Sequence, residues 1–338
     1  MKQVEDALQK RSSVRRIVEL DSLRGLAACV VILCHLIAPI GFGPQWYLRP
    51  IFDGHVSVVL FFVLSGHVLS LPFWQGKQLT YTRYLIRRFF RLYVPYAVAV
   101  CFALLVGKHL IGSQLPLTSW FYVTWHTPFT ASLIASQFLA IDTAGKINIA
   151  FWSLRYEMEM SMMMPLICAC LRMLTTKRAL SLALGIEMAG FAGFHLFENG
   201  GFWLEVSKTL AWGSCFLFGA LLAKEKDAIA RRYTALSIAS RLILVACTVA
   251  IFYCGHDELS ILGACGVIIL AQNSSVTDWL RQPLPEYLGR ISYSLYLVIT
   301  LVVSHLFCVS IEEPAMRLGK RLAASSRPRS PRIAVPLA

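Results

Sequence analysis

Stretches of about 20 mostly apolar residues recur along the chain, and this pattern limits its possible folds more than any other feature. A helix of that length crosses roughly 30 Å of hydrocarbon. Hydrophobic residues make up 57% of the chain and charged residues only 15%, whereas a soluble domain carries about 25% charged residues. The sequence therefore predicts an all-α, polytopic transmembrane helix bundle of about 9–10 spans.

The hydropathy pattern gives nine spans directly. Segment 113–148 holds aromatic residues and proline but no uninterrupted apolar stretch, so we expect an outer-face loop with an interfacial or re-entrant helix. A tenth span hidden in this segment is the alternative. The nine expected spans are 20–40, 56–73, 93–111, 149–173, 180–197, 203–223, 236–254, 259–272 and 292–311.

The net charge of +13 comes from basic clusters beside the span ends. Cytoplasmic loops carry such clusters, so we expect a cytoplasmic amino terminus and a cytoplasmic loop at TYTRYLIRRFFRLYVP. A nucleic-acid partner is not expected, because no aromatic residues alternate with a solvent-facing basic stripe. The clusters are Lys10, Arg11, Arg15 and Arg16; Arg83, Arg87, Arg88 and Arg91; Lys177 and Arg178; and Lys224, Lys226, Arg231 and Arg232.

At the carboxyl end, the positive-inside rule conflicts with the number of spans. Nine spans would place the basic tail on the outer side, whereas its charge favours the cytoplasm. We therefore expect one helix to be missing near Thr300. The expected organisation is a basic amino-terminal segment at 1–19, a transmembrane domain at 20–311 and a basic tail at 312–338.

The ten cysteines are scattered, several of them inside spans, and show no CxxC or CxxH spacing. This distribution is typical of small buried hydrophobic residues. It predicts neither a disulfide framework nor a metal site.

Arg24 and His35 lie in the first span, where ionisable side chains are costly and are functional candidates by default. Eleven residues of helix place them on one face, about 16 Å apart along the axis. Simpler interpretations remain open: Arg24 reaches the lipid headgroups or pairs with Asp21, and His35 is an interfacial residue.

Six segments, in this order, resemble the acyltransferase 3 family of integral membrane enzymes, which move acetyl or other short acyl groups onto carbohydrates and related acceptors. The resemblance extends over roughly 20–322. The segments are LDSLRGLA followed by His35, GHVSVVLFFVLSGHVLS from Gly54, RRFFRLYVPY from Arg87, FWSLRYEMEMSMMMP from Phe151, YLGRISYSLYL from Tyr287 and EEPAMRLGKRL from Glu312.

The resemblance implies a set of site residues. Its essential Arg and His correspond to Arg24 and His35. A histidine, with a pKa of about 6.5, suits the role of general base, and it can also act as a transient acyl carrier. Glu157 is expected at the outer end of its span, where its carboxylate would bind a sugar hydroxyl or orient His35. The implied catalytic residues are His35, Arg24 and Glu157; the donor-binding residues are Arg87, Arg88, Arg91 and Ser65; the acceptor-binding residues are Trp152, Ser153, Tyr293 and Tyr296.

The implied donor is acyl-CoA, with acetyl-CoA as the first candidate, and guanidinium groups at inner span ends suit its phosphates. The implied acceptor is a carbohydrate or glycolipid, the other partner is the lipid bilayer, and no permanently bound cofactor is expected. In a bacterium the protein would lie in the cytoplasmic membrane. The arginine loop is alternatively only an orientation signal that binds lipid headgroups. His55 and His67 are expected to be packing or interface residues.

Two other functions stay open at this point. One is a degenerate, non-catalytic member of the same family, which the apparent loss of a helix near Thr300 favours. The other is a secondary transporter, which is less well supported because the sequence lacks an internal repeat and paired broken helices.

Overall fold

The computed structural model describes residues 17–37, 52–76, 80–110, 128–141, 147–148, 150–298 and 313–325. Every regular element in these ranges is helical, which confirms the predicted all-α class. The first half contains α1 (Val18–Ile37), α2 (Gly54–Trp74), α3 (Tyr81–Arg88), a π-helical turn (Phe89–Tyr93), α4 (Val94–Leu110), α5 (Ala131–Phe138) and α6 (Phe151–Met173). The second half contains α7 (Thr176–Leu196), α8 (Phe202–Lys224), α9 (Lys226–Thr234), α10 (Ile238–Phe252), α11 (Asp257–Asn273), a 3₁₀ helix (Ser275–Arg281), α12 (Pro283–Val298) and α13 (Glu313–Ser325).

Each of the nine expected spans overlaps a helix. In the described ranges four helices are long and apolar enough to cross a membrane, so the protein is an integral membrane helix bundle. A fifth results if α11 and the 3₁₀ helix, bent by 82°, form one broken span. The total of nine or ten spans stays a prediction. The four helices are Gly54–Trp74, Tyr81–Leu105, Thr176–Leu196 and Phe202–Lys224.

The segment around the arginines, expected to be a loop, is helical at 81–93, and its cytoplasmic location stays a prediction. The apolar and aromatic residues between the arginines form a face that packs against the bundle: Tyr84 is 5% exposed and Leu92 4%. The Tyr84 hydroxyl also donates a hydrogen bond to the Ser161 carbonyl of α6 at 2.6 Å. The arginines therefore project from a packed helix that continues into α4 as one candidate span, Tyr81–Leu105.

A short helix lies in the segment for which we expected an interfacial or re-entrant helix. It is α5, and two hydroxyls of the π turn and α4 bind its last carbonyls. Tyr93 donates to Phe138 at 3.0 Å, and Tyr96 donates to Gln137 at 2.6 Å. The parts of this segment at 111–127 and 142–146 lie outside the described residues.

Helix α2 occupies the centre of the bundle and packs against α1, α6, α8 and α11. A helix that is apolar on all sides is buried on all sides, and the composition of α2 fits this rule. Two glycines allow close contact with α8. A Cβ atom on Gly66 would lie 2.3 Å from the Phe216 carbonyl oxygen, and one on Gly219 would lie 2.1 Å from the Val63 oxygen.

We expect Gly219→Leu to separate α2 from α8, because its side chain has no space against the α2 backbone. The purified protein should melt at a clearly lower temperature in detergent than wild type. Gly185→Leu is the matched control, since a Cβ there meets no atom within 4 Å. Equal melting temperatures for the two variants would contradict the α2–α8 packing.

Basic side chains gather at one end of the bundle, where α1 begins and α2 ends. Arg172 donates a hydrogen bond to the Phe73 carbonyl near the end of α2. Lys224 binds the carbonyls at the end of α6, and Arg281 pairs with Glu19 beside the start of α1 at 2.5 Å. We call this the basic end, and under the positive-inside rule it is expected to face the cytoplasm.

The basic tail contributes α13, which packs against α3 and the π turn. Gly319 permits the contact, since a Cβ there would lie 2.7 Å from Cβ of Phe90. The hypothesis of a missing helix near Thr300 falls on 299–312, outside the described residues.

Candidate functional site

Arg24 belongs to a polar chain that joins three helices, with Ser65 in the middle and Glu157 at the other end. Gly25 faces α12: a Cβ atom added to it would lie 2.4 Å from the Gly289 nitrogen. Because a helix turns by about 100° per residue, Arg24 faces a different neighbour, α2. The Arg24 guanidinium donates to the Ser65 hydroxyl at 3.4 Å, and Ser65 donates to the Glu157 carboxylate at 3.3 Å. The side chain of Arg24 is 12% exposed. The expected pairing with Asp21 is also present, but at 3.9 Å it is the longer contact.

These three residues line a cavity of about 700 Å³ of empty space, its open mouth included. Eight of the eleven predicted site residues line it, although they come from α1, α2, α3, the π turn, α6 and α12. The eight are Arg24, Ser65, Arg88, Arg91, Ser153, Glu157, Tyr293 and Tyr296.

Of the three arginines predicted to bind the donor in this segment, two line the cavity and one does not. Arg88 and Arg91 line the cavity on either side of the junction between α3 and the π turn. The Arg88 guanidinium lies 5.5 Å from the centre of the Tyr84 ring, a cation–π contact. Arg87 is exposed and does not line the cavity. A π turn in a helix is frequent at functional sites, and here it carries Arg91, one of the three cavity arginines.

The tyrosines of the SYxxYL element form the opposite wall. The Tyr296 hydroxyl and the Ser153 hydroxyl lie 2.5 Å apart, which joins α12 to α6. Tyr293 donates to the Leu92 carbonyl of the π turn at 2.7 Å. Both tyrosines therefore hold the arginine-bearing turn and α6 at fixed positions around the cavity. Trp152 is not part of this wall; its indole stacks on the imidazole of His55 with ring centres 5.9 Å apart.

His35 does not line this cavity. It lies on the last turns of α1, where its Nδ1–H donates to the Val31 carbonyl at 2.6 Å. Along the helix it is about 16 Å from Arg24. The arginine and the histidine of the family pair thus lie at different depths of the bundle.

The expectation that Glu157 orients His35 is not met, because Glu157 binds Ser65 beside Arg24. The reason is the depth at which α6 begins. Trp152, in its first turn, is level with His55 at the start of α2. Glu157 follows five residues later, about 7.5 Å deeper in the bundle.

The cavity combines three guanidinium groups with one carboxylate, so its charge is positive. Guanidinium groups bind phosphate and carboxylate oxygens through paired hydrogen bonds, and they stabilise an oxyanion that forms within reach. Charged groups at this depth are costly in a membrane protein and usually mark a substrate pathway. The arrangement suits an anionic ligand whose reacting carbonyl gains negative charge.

Sequence reasoning missed one arrangement at the opposite end of the bundle. His55, interpreted as a packing or interface residue, lies 3.0 Å from Asp257. The two residues are 202 positions apart, so no local spacing could have indicated the pair.

Comparison with known proteins gave one match. A family model described as an acyltransferase domain matches residues 17–307. No curated protein and no solved structure matches the chain. The matched range contains every residue that lines the cavity and extends over nearly the whole chain. The chain therefore belongs to the acyltransferase 3 family.

Proposed function

We propose that the protein is a membrane-bound O-acyltransferase that moves an acetyl or other short acyl group from acyl-CoA to a hydroxyl of a carbohydrate or glycolipid acceptor. Membership of the acyltransferase family supports acyl transfer. The observation that carries the proposal is the cavity in which Arg24, Ser65 and Glu157 meet Arg88 and Arg91.

The donor reaches this cavity from the basic end in our proposal. Acyl-CoA carries several phosphates, which suit Arg88 and Arg91, with Arg87 on the exposed side of the same helix. Its thioester then lies between Arg24 and His35, which face the same side of α1 about 16 Å apart along the helix. Ser65 accepts a hydrogen bond from the Arg24 guanidinium and is itself held by Glu157, to which it donates.

In the transfer step, the acceptor oxygen attacks the thioester carbonyl carbon. The new carbon–oxygen bond forms, the carbon–sulfur bond breaks, and the CoA thiolate leaves. Arg24 stabilises the negative charge on the carbonyl oxygen. His35 accepts the hydroxyl proton as general base, or it first takes the acyl group on its imidazole and passes it to the acceptor.

Mass spectrometry tests the proposal directly. Surface glycans and glycolipids are compared between cells with and without the intact gene, and the cells with the gene should contain species heavier by one acyl unit. A labelled acetate feed should place the label in the same species. Identical glycan and glycolipid spectra in the two strains would contradict the proposed function.

His35→Ala is expected to lower turnover by about 100-fold, a typical contribution of a catalytic proton-transfer group. The protein should still fold, which gel filtration in detergent checks. His195→Ala is the matched control, because His195 is 74% exposed and pairs with Glu198 near the end of α7. Full activity of His35→Ala would exclude His35 as the general base or the acyl carrier.

A further inference from the structure

A second histidine site lies at the end of the bundle opposite the basic end. His55 is in the first turn of α2, which Asp53 caps by accepting the Val56 amide at 3.1 Å. The His55 Nε2–H donates to the Asp257 carboxylate at 3.0 Å, and Asp257 begins α11. Both side chains keep access to their surroundings, since they are 46% and 36% exposed.

The His55 imidazole is fixed on several sides. Its face stacks on Trp152, with ring centres 5.9 Å apart and planes 14° apart. Trp212 packs on it in a T-shaped arrangement, with ring centres 5.4 Å apart. The carboxylate holds one ring nitrogen, and the other nitrogen, Nδ1, has no hydrogen-bond partner in the part of the chain that the structure describes. An imidazole held by a carboxylate on one nitrogen, with the other open, has the geometry of a general base.

This histidine faces a recess of its own, with about 730 Å³ of empty space, its open mouth included. Asp53, Asp257 and Cys34 are the other titratable side chains among the described residues that line it. Cys34 immediately precedes His35, and a Cβ on Gly54 would lie 3.0 Å from Cβ of Cys34. The end of α1 that carries His35 therefore touches the start of α2 that carries His55.

An aromatic layer separates the recess from the arginine cavity. Phe62 lines the cavity and packs against Trp152, with ring centres 6.3 Å apart. On its other side, Trp152 stacks on His55. The polar cavity and the histidine recess thus lie on opposite sides of the Phe62–Trp152 pair.

We propose that His55 is the general base for the acceptor and that Asp257 is its positioning residue. This inference rests on the proposed acyl transfer. Asp257 fixes the tautomer with the proton on Nε2, so Nδ1 carries the lone pair. Nδ1 removes the proton of the acceptor hydroxyl as that oxygen attacks the acyl carbon.

The proposal selects between the two roles given to His35. His35 then carries the acyl group: its nitrogen attacks the thioester carbon, the carbon–sulfur bond breaks and the thiolate leaves. In the second step the acceptor oxygen bonds to the acyl carbon, the carbon–nitrogen bond to His35 breaks, and the hydroxyl proton goes to Nδ1 of His55. The His55 imidazolium finally releases this proton to water.

The test uses the full-length protein in detergent, radiolabelled acetyl-CoA and host membranes as the source of acceptor. His55→Ala should lower kcat by about 100-fold and leave kcat/KM for acetyl-CoA unchanged, because His55 acts only after the acyl group has left CoA and lies beyond Trp152 from the donor cavity. Added imidazole should restore part of kcat by occupying the recess. Asp257→Asn should lower kcat to a smaller extent, and Asp257→Glu should restore part of the loss.

The controls separate a catalytic from a structural role. His195→Ala removes an exposed histidine that also has a carboxylate neighbour, and it should keep wild-type kcat. If His55→Ala does not purify as a single species, the same kinetic constants are measured for His55→Asn. A His55 variant with wild-type kcat, or one that imidazole does not rescue, overturns the inference and leaves the proposed function standing. Failure of the wild-type protein to transfer acetyl would instead overturn the proposed function.

Discussion

Arg24→Ala is expected to lower kcat for acetyl transfer by about 100- to 1,000-fold, the usual effect of removing one donor to a developing oxyanion. The guanidinium is buried at the cavity wall, held by Ser65, and no other α1 residue lines the cavity. Turnover of radiolabelled acetyl-CoA measures the effect. Arg24→Lys should lie between wild type and Arg24→Ala, since it keeps the charge but loses the planar fork.

Removing Arg24 and removing the charge of Glu157, the two ends of the polar chain, should lower the melting temperature by different amounts. Arg24→Ala leaves Glu157 with Arg88 and Arg91 as counter-charges, so the melting temperature should fall only slightly. Glu157→Gln leaves three guanidinium groups around the cavity without the carboxylate, and it should destabilise the protein more. Arg290→Ala, in an exposed pair with Glu286 at 3.9 Å, is the matched control. Wild-type turnover of Arg24→Ala would refute its assigned role.

Removing Arg88 and Arg91 together should weaken donor binding more than any other change to the cavity. A hydrogen bond to a charged group contributes about 1.5–3 kcal/mol, so loss of two corresponds to about 100- to 10,000-fold in KM for acetyl-CoA. Wild-type protein should also melt at a higher temperature with CoA than without it, and the double variant should lose this stabilisation.

A control on the same helix sharpens this test. Arg83→Ala changes an arginine of α3 that does not line the cavity, and KM should stay as in wild type. Arg87→Ala should raise KM less than Arg88→Ala or Arg91→Ala alone, because Arg87 is exposed. A uniform rise in KM for all four variants would indicate that the helix attracts anions through its total charge alone.

The positions of the helices could be predicted from the sequence because apolar length is a local property. The face of α1 on which Arg24 lies could also be predicted, because it follows from the helical period alone. The helical structure of 81–93 could not be predicted in this way, since its arginines alternate with apolar residues that only the folded bundle buries. Local patterns also say nothing about relative depth. Glu157 reaches Ser65, the partner of Arg24, because α6 begins level with the first turn of α2, and this offset depends on packing between helices.

The candidate site could likewise be predicted only in part from the sequence. Motifs identified eight residues that line one cavity, because these eight face inward from their own helices. The pairing of His55 with Asp257 depends on two helix starts that meet in space. Neither residue lies in a pattern that indicates its partner, so only the folded structure shows the pair.

The aromatic contact between Phe62 and Trp152 has a consequence for ion leakage. An enzyme that admits one reactant from each face of a membrane risks a continuous file of water through its middle, along which protons would run down their gradient. The rings of Phe62 and Trp152, which lie between the arginine cavity and the histidine recess, interrupt that file of water. Under the proposed function, the cavity and the recess can then stay open at the same time without a proton leak between them.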